Sequence, residues 1–177
     1  MARPVPPLDL GPEDARQAAF AAGLRLLAGR EMSTARLCER LRRRGLPDDA
    51  VDDAVARLTR AGALDDARAA RAAARTLVAV KRRGAHRVSR ELERMGFAPA
   101  LVASTLTEVL GEIDEPAVMA RVIAARMHGR ARIADPAAYR RLFGALLRRG
   151  FAASAIREAL RPYWGGRAAP VEDAADE

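Results

Sequence analysis

The chain of 177 residues holds one cysteine, Cys38. An intramolecular disulfide is therefore impossible, and so is a cysteine-based metal cluster. Cys38 lies between Leu37 and Leu41, which predicts a buried structural thiol and not a reactive one. Histidine is almost as scarce. His86 and His128 stand far apart, and neither has a metal partner four residues on. Aromatic residues make up 4% of the chain, too few to interleave with the cations as a base-stacking single-strand binder requires. No stretch approaches ~18 uncharged apolar residues, so no membrane span is predicted. Arg3 is followed by Pro4, Pro6, Pro7 and Asp9 in place of an apolar segment, so no secretory signal is read and the cytoplasm is the expected compartment.

Catalytic patterns are missing too. There is no phosphate loop of the GxxxxGK[ST] kind and no GxGxxG after a strand. Ser33, Ser89, Ser104 and Ser154 lack a nearby histidine or lysine base. The paired acids Asp48-Asp49 and Asp65-Asp66 each open a helix, where capping accounts for them. Neighbouring residues on a helix also point about 100° apart, which does not suit a carboxylate pair. The expectation is a protein with no enzymatic activity, no cofactor and no metal.

What is present is one pattern written three times. The first copy reads Leu37, Leu41, Gly45-Leu46, Val51, Val55; the second Val88, Leu92, Gly96-Phe97, Val102, Leu106; the third Leu142, Leu146, Gly150-Phe151, Ile156, Leu160. Apolar residues four apart share a helix face. A glycine then takes the left-handed conformation that ends a helix, and the next apolar residue packs back. Each copy is thus a helix, a glycine turn and a helix. The glycines are 51 and 54 residues apart, which leaves room for one further helix per unit. The fold class that follows is all-α, an elongated tandem array of three three-helix repeats with about nine helices and no strand. Half the residues are hydrophobic, but many are alanine, so thin helical layers are expected instead of one thick core.

The expected organisation is a disordered proline-rich segment 1–12, three-helix repeats at 13–62, 63–112 and 113–163, and a disordered acidic tail at 164–177. In the first repeat Phe20, Leu24 and Leu27 are the expected buried side of the opening helix, and Ser33 is the cap of the next. Asp65 is read as the cap of a long helix from Asp66 to about Arg83, with Ala67, Ala70, Ala74, Leu77 and Val78 as its inner face and Gly84 as its stop. Tyr163-Trp164 is expected to pack on the last helix.

The net charge is +8 and the isoelectric point about 11.1. Lys81 is the sole lysine among 31 basic residues. An arginine-rich balance is also what a GC-rich genome produces, but a basic surface speaks to partners: nucleic acid, an acidic protein or anionic lipid. The candidate partner- or DNA-binding residues are the runs Arg42-Arg43-Arg44, Lys81-Arg82-Arg83, Arg140-Arg141 and Arg148-Arg149, with Arg126, Arg130 and Arg132 as a looser group. Cations in a last helical turn complement the helix dipole, which accounts for three of the runs individually. It does not account for the overall excess.

Several stretches, in order, resemble one family. They are Leu24-Arg25-Leu26-Leu27, Arg30-Glu31-Met32-Ser33, Leu37 to Gly45, Gly62-Ala63-Leu64-Asp65-Asp66-Ala67-Arg68, Gly84, Arg87 to Gly96, Tyr139-Arg140-Arg141-Leu142 and Leu146-Leu147-Arg148-Arg149-Gly150-Phe151. Over roughly residues 14 to 162 the chain is similar to the RecX family of bacterial recombinase regulators. The resemblance implies tandem three-helix repeats and a monomeric, non-enzymatic protein. Such a protein binds the RecA recombinase and its nucleoprotein filament, lowers its activity, and has weak direct affinity for single- or double-stranded DNA. Ala69 departs from the family, which usually carries an aromatic there; a large contact is expected to be lost.

Two other readings compete. A helix-turn-helix-like DNA-binding protein acting without a recombinase suits the charge, but the second helices begin Pro47-Asp48-Asp49, Ala98-Pro99-Ala100 and Ala152-Ala153-Ser154, acidic or featureless where base-reading residues belong. A helical scaffold for some other acidic protein is the third.

Overall fold

The computed structural model describes residues 11–165. Apart from 11–12 and 164–165, the two segments expected to be disordered lie outside the described residues. Pro12 already belongs to the first helix, where its missing N–H costs nothing.

Among the described residues there are nine α-helices and no strand. They are α1 (Pro12–Gly29), α2 (Thr34–Arg42), α3 (Asp48–Arg60), α4 (Asp66–Arg75), α5 (Ala85–Arg94), α6 (Pro99–Glu112), α7 (Glu115–Met127), α8 (Pro136–Arg148) and α9 (Ala153–Leu160). A π-helical turn (Thr76–Val80) extends α4, and a 3₁₀ turn (Arg161–Tyr163) follows α9. The thrice-written pattern sits at the α2/α3, α5/α6 and α8/α9 junctions. Its glycines, Gly45, Gly96 and Gly150, all have positive φ, at 79°, 88° and 90°. The returning N–H of Phe97 donates to the Leu92 carbonyl and that of Phe151 to Leu146, five residues back, as a left-handed helix end demands. The apolar positions are buried except Val55 and Leu106, which are half-buried.

The described chain forms two compact units. In the first, α1, α2 and α3 pack on one another, joined by the first turns of α4 and by Leu92–Thr105. The buried side of α1 is Ala15, Ala19, Ala22 and Gly23, not the expected Phe20, Leu24 and Leu27. Leu24 is 42% exposed, and Phe20 and Leu27 only border the core. Close approach to α3 selects the small residues: a Cβ on Gly23 would lie 2.6 Å from Leu58 Cδ1. Phe20 instead lies under the Arg57 guanidinium, 4.0 Å from its carbon to the ring centre. Cys38 is half-buried against this core, and burial pushes its thiol pKa up, with Arg42 pulling the other way.

Ser33 caps α2 as expected, accepting from the Arg36 N–H at 3.2 Å. It also donates to the Met95 carbonyl at 2.5 Å, fastening the α2 cap to the α5 glycine turn. Asp65 caps α4 through the Arg68 N–H at 2.9 Å. Asp66 does more than open its own helix: its Oδ1 accepts from the Thr34 N–H and hydroxyl at 2.7 and 2.9 Å, a second ligand for the start of α2. Arg68 pairs with Glu31 and donates to the Gly62 carbonyl at 3.2 Å. The stretch from Gly62 to Arg68 is thus a clasp that closes the first unit, with Leu64 buried at its centre. Ala69 is 5% exposed, so its neighbours close over the alanine.

The second unit holds Ala74–Glu91 and the described residues from Leu106 on. Here α7, α8 and α9 pack mutually. Tyr139 of α8 is buried between Phe143 and Trp164, with ring centres 6.1 and 5.4 Å away, so Trp164 seats on α8. The long helix expected from Asp66 to Arg83 does not run uniformly. It is α-helical to Arg75, winds as a π turn to Val80, and leaves the helix at Arg82, whose φ of 52° is left-handed. Gly84 is therefore not the helix stop. It is buried against the α8 exit, where its N–H donates to the Arg149 carbonyl at 2.9 Å.

Candidate partner-binding arginines

The four predicted runs fare differently once their side chains are placed. In the first, two of three guanidiniums are occupied. Arg42 Nε donates to Asp48 Oδ1 at 2.6 Å, which holds the arginine's pKa above its usual value, and Arg43 pairs with Glu39 at 2.5 Å. Arg44 is exposed and makes no ion pair among the described residues. Asp48 and Glu39 turn most of this run into a helix-end arrangement.

The second and fourth runs, 67 residues apart along the chain, meet. Arg149 Nη1 donates to the carbonyls of both Lys81 and Arg82 at 3.2 Å. Arg87 Nη1 donates to the Arg148 carbonyl at 2.8 Å, and the His86 N–H to the Gly150 carbonyl at 3.2 Å. Backbone and guanidinium bonds thus fasten the α4 exit to the α8 exit inside one unit. Two acids are bound into this junction among the described residues: Glu115 accepts from the Ala85 N–H at 2.8 Å, and Glu91 takes the cations. Glu91, 7% exposed, takes ion pairs from Arg83 and from Arg87, the latter at 2.9 Å. Arg83 is therefore a structural cation. Lys81, Arg82 and Arg148 remain exposed, with no side-chain partner among the described residues. Arg148 lies back over the bare face of Gly144, where an added Cβ would come 3.3 Å from its Nη1.

Two exposed large apolar residues flank the same junction. Val80, 74% exposed, immediately precedes Lys81; Leu147, 38% exposed, immediately precedes Arg148. Reading the sequence missed Arg87 and Glu91 as the organisers of this region, although their spacing of four residues on α5 was a usable signal. It could not show that the two runs converge. The third run lies in the second turn of α8, where Arg140 and Arg141 are exposed and make no ion pair among the described residues. Among the described residues, no group of three or more His, Cys, Asp or Glu could hold a metal. No helix there is long and apolar enough to cross a membrane.

A helix-turn-helix unit written three times defines an all-α helical-repeat protein. The family model described as the first three-helix domain of RecX matches residues 19–58. The Regulatory protein RecX of Trichlorobacter lovleyi is 34% identical over 143 residues, covering 78% of this chain and 91% of that one. That of Amycolatopsis mediterranei is 30% identical over 175 residues, covering 96% and 98%. The crystal structure of RecX from Lactobacillus salivarius superposes with a TM-score of 0.73 at 14% identity, covering 84% of this chain and 96% of that one, a likeness of fold. The chain belongs to the RecX family of regulatory proteins. Its relatives are named as regulators, not as enzymes.

Proposed function

We propose that this protein regulates DNA recombination and repair by binding the RecA recombinase and its DNA filament and inhibiting them, as a cytoplasmic monomer without catalysis of its own. Family membership supports the regulatory part. The observation that carries the choice of partner is the α4–α8 junction. Val80-Lys81-Arg82 and Leu147-Arg148-Arg149 place two exposed apolar side chains beside Lys81, Arg82 and Arg148, three cations with no side-chain partner among the described residues. A surface that served only phosphates would have no use for Val80 and Leu147. Apolar anchors rimmed by cations fit an acidic protein surface. The arrangement into repeats at 13–62, 63–112 and 113–163 belongs to the same reading, since a repeated unit suits a partner that is itself a repeating polymer.

The test measures ATP hydrolysis by recombinase filaments on single-stranded DNA, and association of the labelled protein with them. The double substitution V80S/R82E should leave helix content unchanged and weaken both association and inhibition by roughly tenfold or more, as loss of an interface hot spot does. Undiminished inhibition by a folded V80S/R82E protein would remove the junction from the interface. Binding to naked DNA with none to filaments would favour the helix-turn-helix-like alternative.

A further inference from the structure

The loop between α7 and α8 gathers cations in a way the regulator reading does not use. Arg126, Arg130, Arg132 and Arg141 line a pocket of about 270 Å³ whose remaining walls are apolar, chiefly Met127, Ile133 and Leu142. Among the described residues no carboxylate lines it. None of the four makes an ion pair among the described residues. The neighbouring acid, Asp135, is turned to its own helix, where it caps α8 through the Ala138 N–H at 2.7 Å.

The loop is built, not slack. His128 and Gly129 follow one another in the left-handed region, with φ of 49° and 77°. The Arg130 N–H then returns to the Met127 carbonyl at 2.9 Å, and the Ile133 N–H is held by the Tyr163 carbonyl at 2.9 Å. A left-handed histidine is unfavourable by itself, and so is the mutual repulsion of four guanidiniums around one small space. The helix dipole offsets part of this for Arg126 at the end of α7. It offers nothing to Arg130 and Arg132 in the loop, nor to Arg141 in the second turn of α8.

From this we infer that the α7–α8 pocket binds a polyphosphate group, meaning two or more linked phosphates. Each guanidinium presents a planar fork that matches a pair of phosphate oxygens. A phosphodiester offers two free oxygens and a single charge, which cannot engage four forks. Linked phosphates offer enough oxygens and enough charge within the same volume. The group can arrive as free inorganic polyphosphate or as the tail of a nucleoside triphosphate. Among the described residues no aromatic side chain lines the pocket to stack a base, so the phosphate chain alone is read.

The test uses calorimetric titration of the full chain, without recombinase, so that its failure is separate from that of the regulator reading. The probes are tripolyphosphate, ATP, inorganic sulfate and an oligonucleotide with a 5′-hydroxyl end. The proposal expects saturable binding of tripolyphosphate and ATP with similar affinity. Binding of both should fall by roughly tenfold or more in R130Q/R132Q/R141Q, since charge-assisted forks are lost. A control that also removes three exposed arginines, R25Q/R30Q/R121Q, should stay within about twofold because these residues lie outside the pocket. Should the triple variant lose helicity, R141Q alone serves, since it is an exposed change within α8. Equal loss in the control and pocket variants, equal binding of sulfate, or tighter binding of the oligonucleotide than of tripolyphosphate would each overturn the proposal.

Discussion

Gly84 and Gly150 meet backbone to backbone. A Cβ on Gly84 would lie 2.5 Å from the Gly150 carbonyl carbon and from the Phe151 nitrogen, and one on Gly150 would lie 2.9 Å from Arg87 Cα. Gly150 also has a φ of 90°, so it serves both the α8 turn and the contact. This approach is what brings Lys81 and Arg82 beside Arg148 and Arg149.

Replacing either glycine should therefore open the junction. Gly84→Ala should lower stability by about 1–3 kcal/mol, the range for forcing extra atoms into a packed site. Gly150→Ala should lose roughly 1 kcal/mol more, because alanine also resists the left-handed conformation. Urea denaturation measures both. A Gly84→Ala protein as stable as the original would mean that the two exits are not in contact.

Neighbouring arginines of one run should behave as opposites. Arg83→Glu puts a second carboxylate beside the buried Glu91 and should destabilise by roughly 3–5 kcal/mol, as breaking a buried pair does. Arg82→Glu, on an exposed side chain, should stay within about 0.5 kcal/mol in stability and show its effect in partner association. Comparing chemical denaturation of the two variants decides it.

Leu92 tests the repeat alignment, since it stands where Leu41 and Leu146 stand in the other copies. All three are fully buried. Leu92→Ala should cost about 2–5 kcal/mol, read from the shift in denaturation midpoint. A loss well under 1 kcal/mol would be outside the range for a packed core leucine.

Asp65 supplies a pH dependence with a definite sign. Its pKa is lowered, chiefly by the hydrogen bond from the Arg68 N–H; burial opposes this, and the charge of Arg68 adds to the lowering. A carboxyl depressed on folding stabilises the folded state above its unfolded pKa, near the ordinary value of 3.8, and that contribution is lost as pH falls through the folded value. Thermal melts of Asp65→Ala and the unaltered protein should differ at neutral pH and converge in strong acid. A constant difference across that window would mean that the charge of Asp65 plays no part in the cap.

Sequence alone determined the helical class and the three turns. Those rest on local physics: an i, i+4 apolar spacing, and a glycine where the chain must turn left-handed. Helix caps at Ser33 and Asp65 were legible for the same reason, being bonds within a few residues of themselves. The buried face of α1 was misjudged because residue size was read as burial, whereas the closeness of Leu58 favours Ala15, Ala19 and Gly23 over Phe20 and Leu24. Asp66 was credited only with its own helix because its partner, Thr34, is 32 residues away. The arginine runs were visible as charge, but charge along a chain does not say which cations are already answered. Tertiary structure alone decided that Arg42 and Arg83 are spent on Asp48 and Glu91, that Arg82 and Arg148 are brought together exposed, and that four arginines of the α7–α8 region surround one pocket. The physical reason is range. Helix geometry is set by neighbours in sequence, while pairing and convergence depend on contacts between residues distant along the chain.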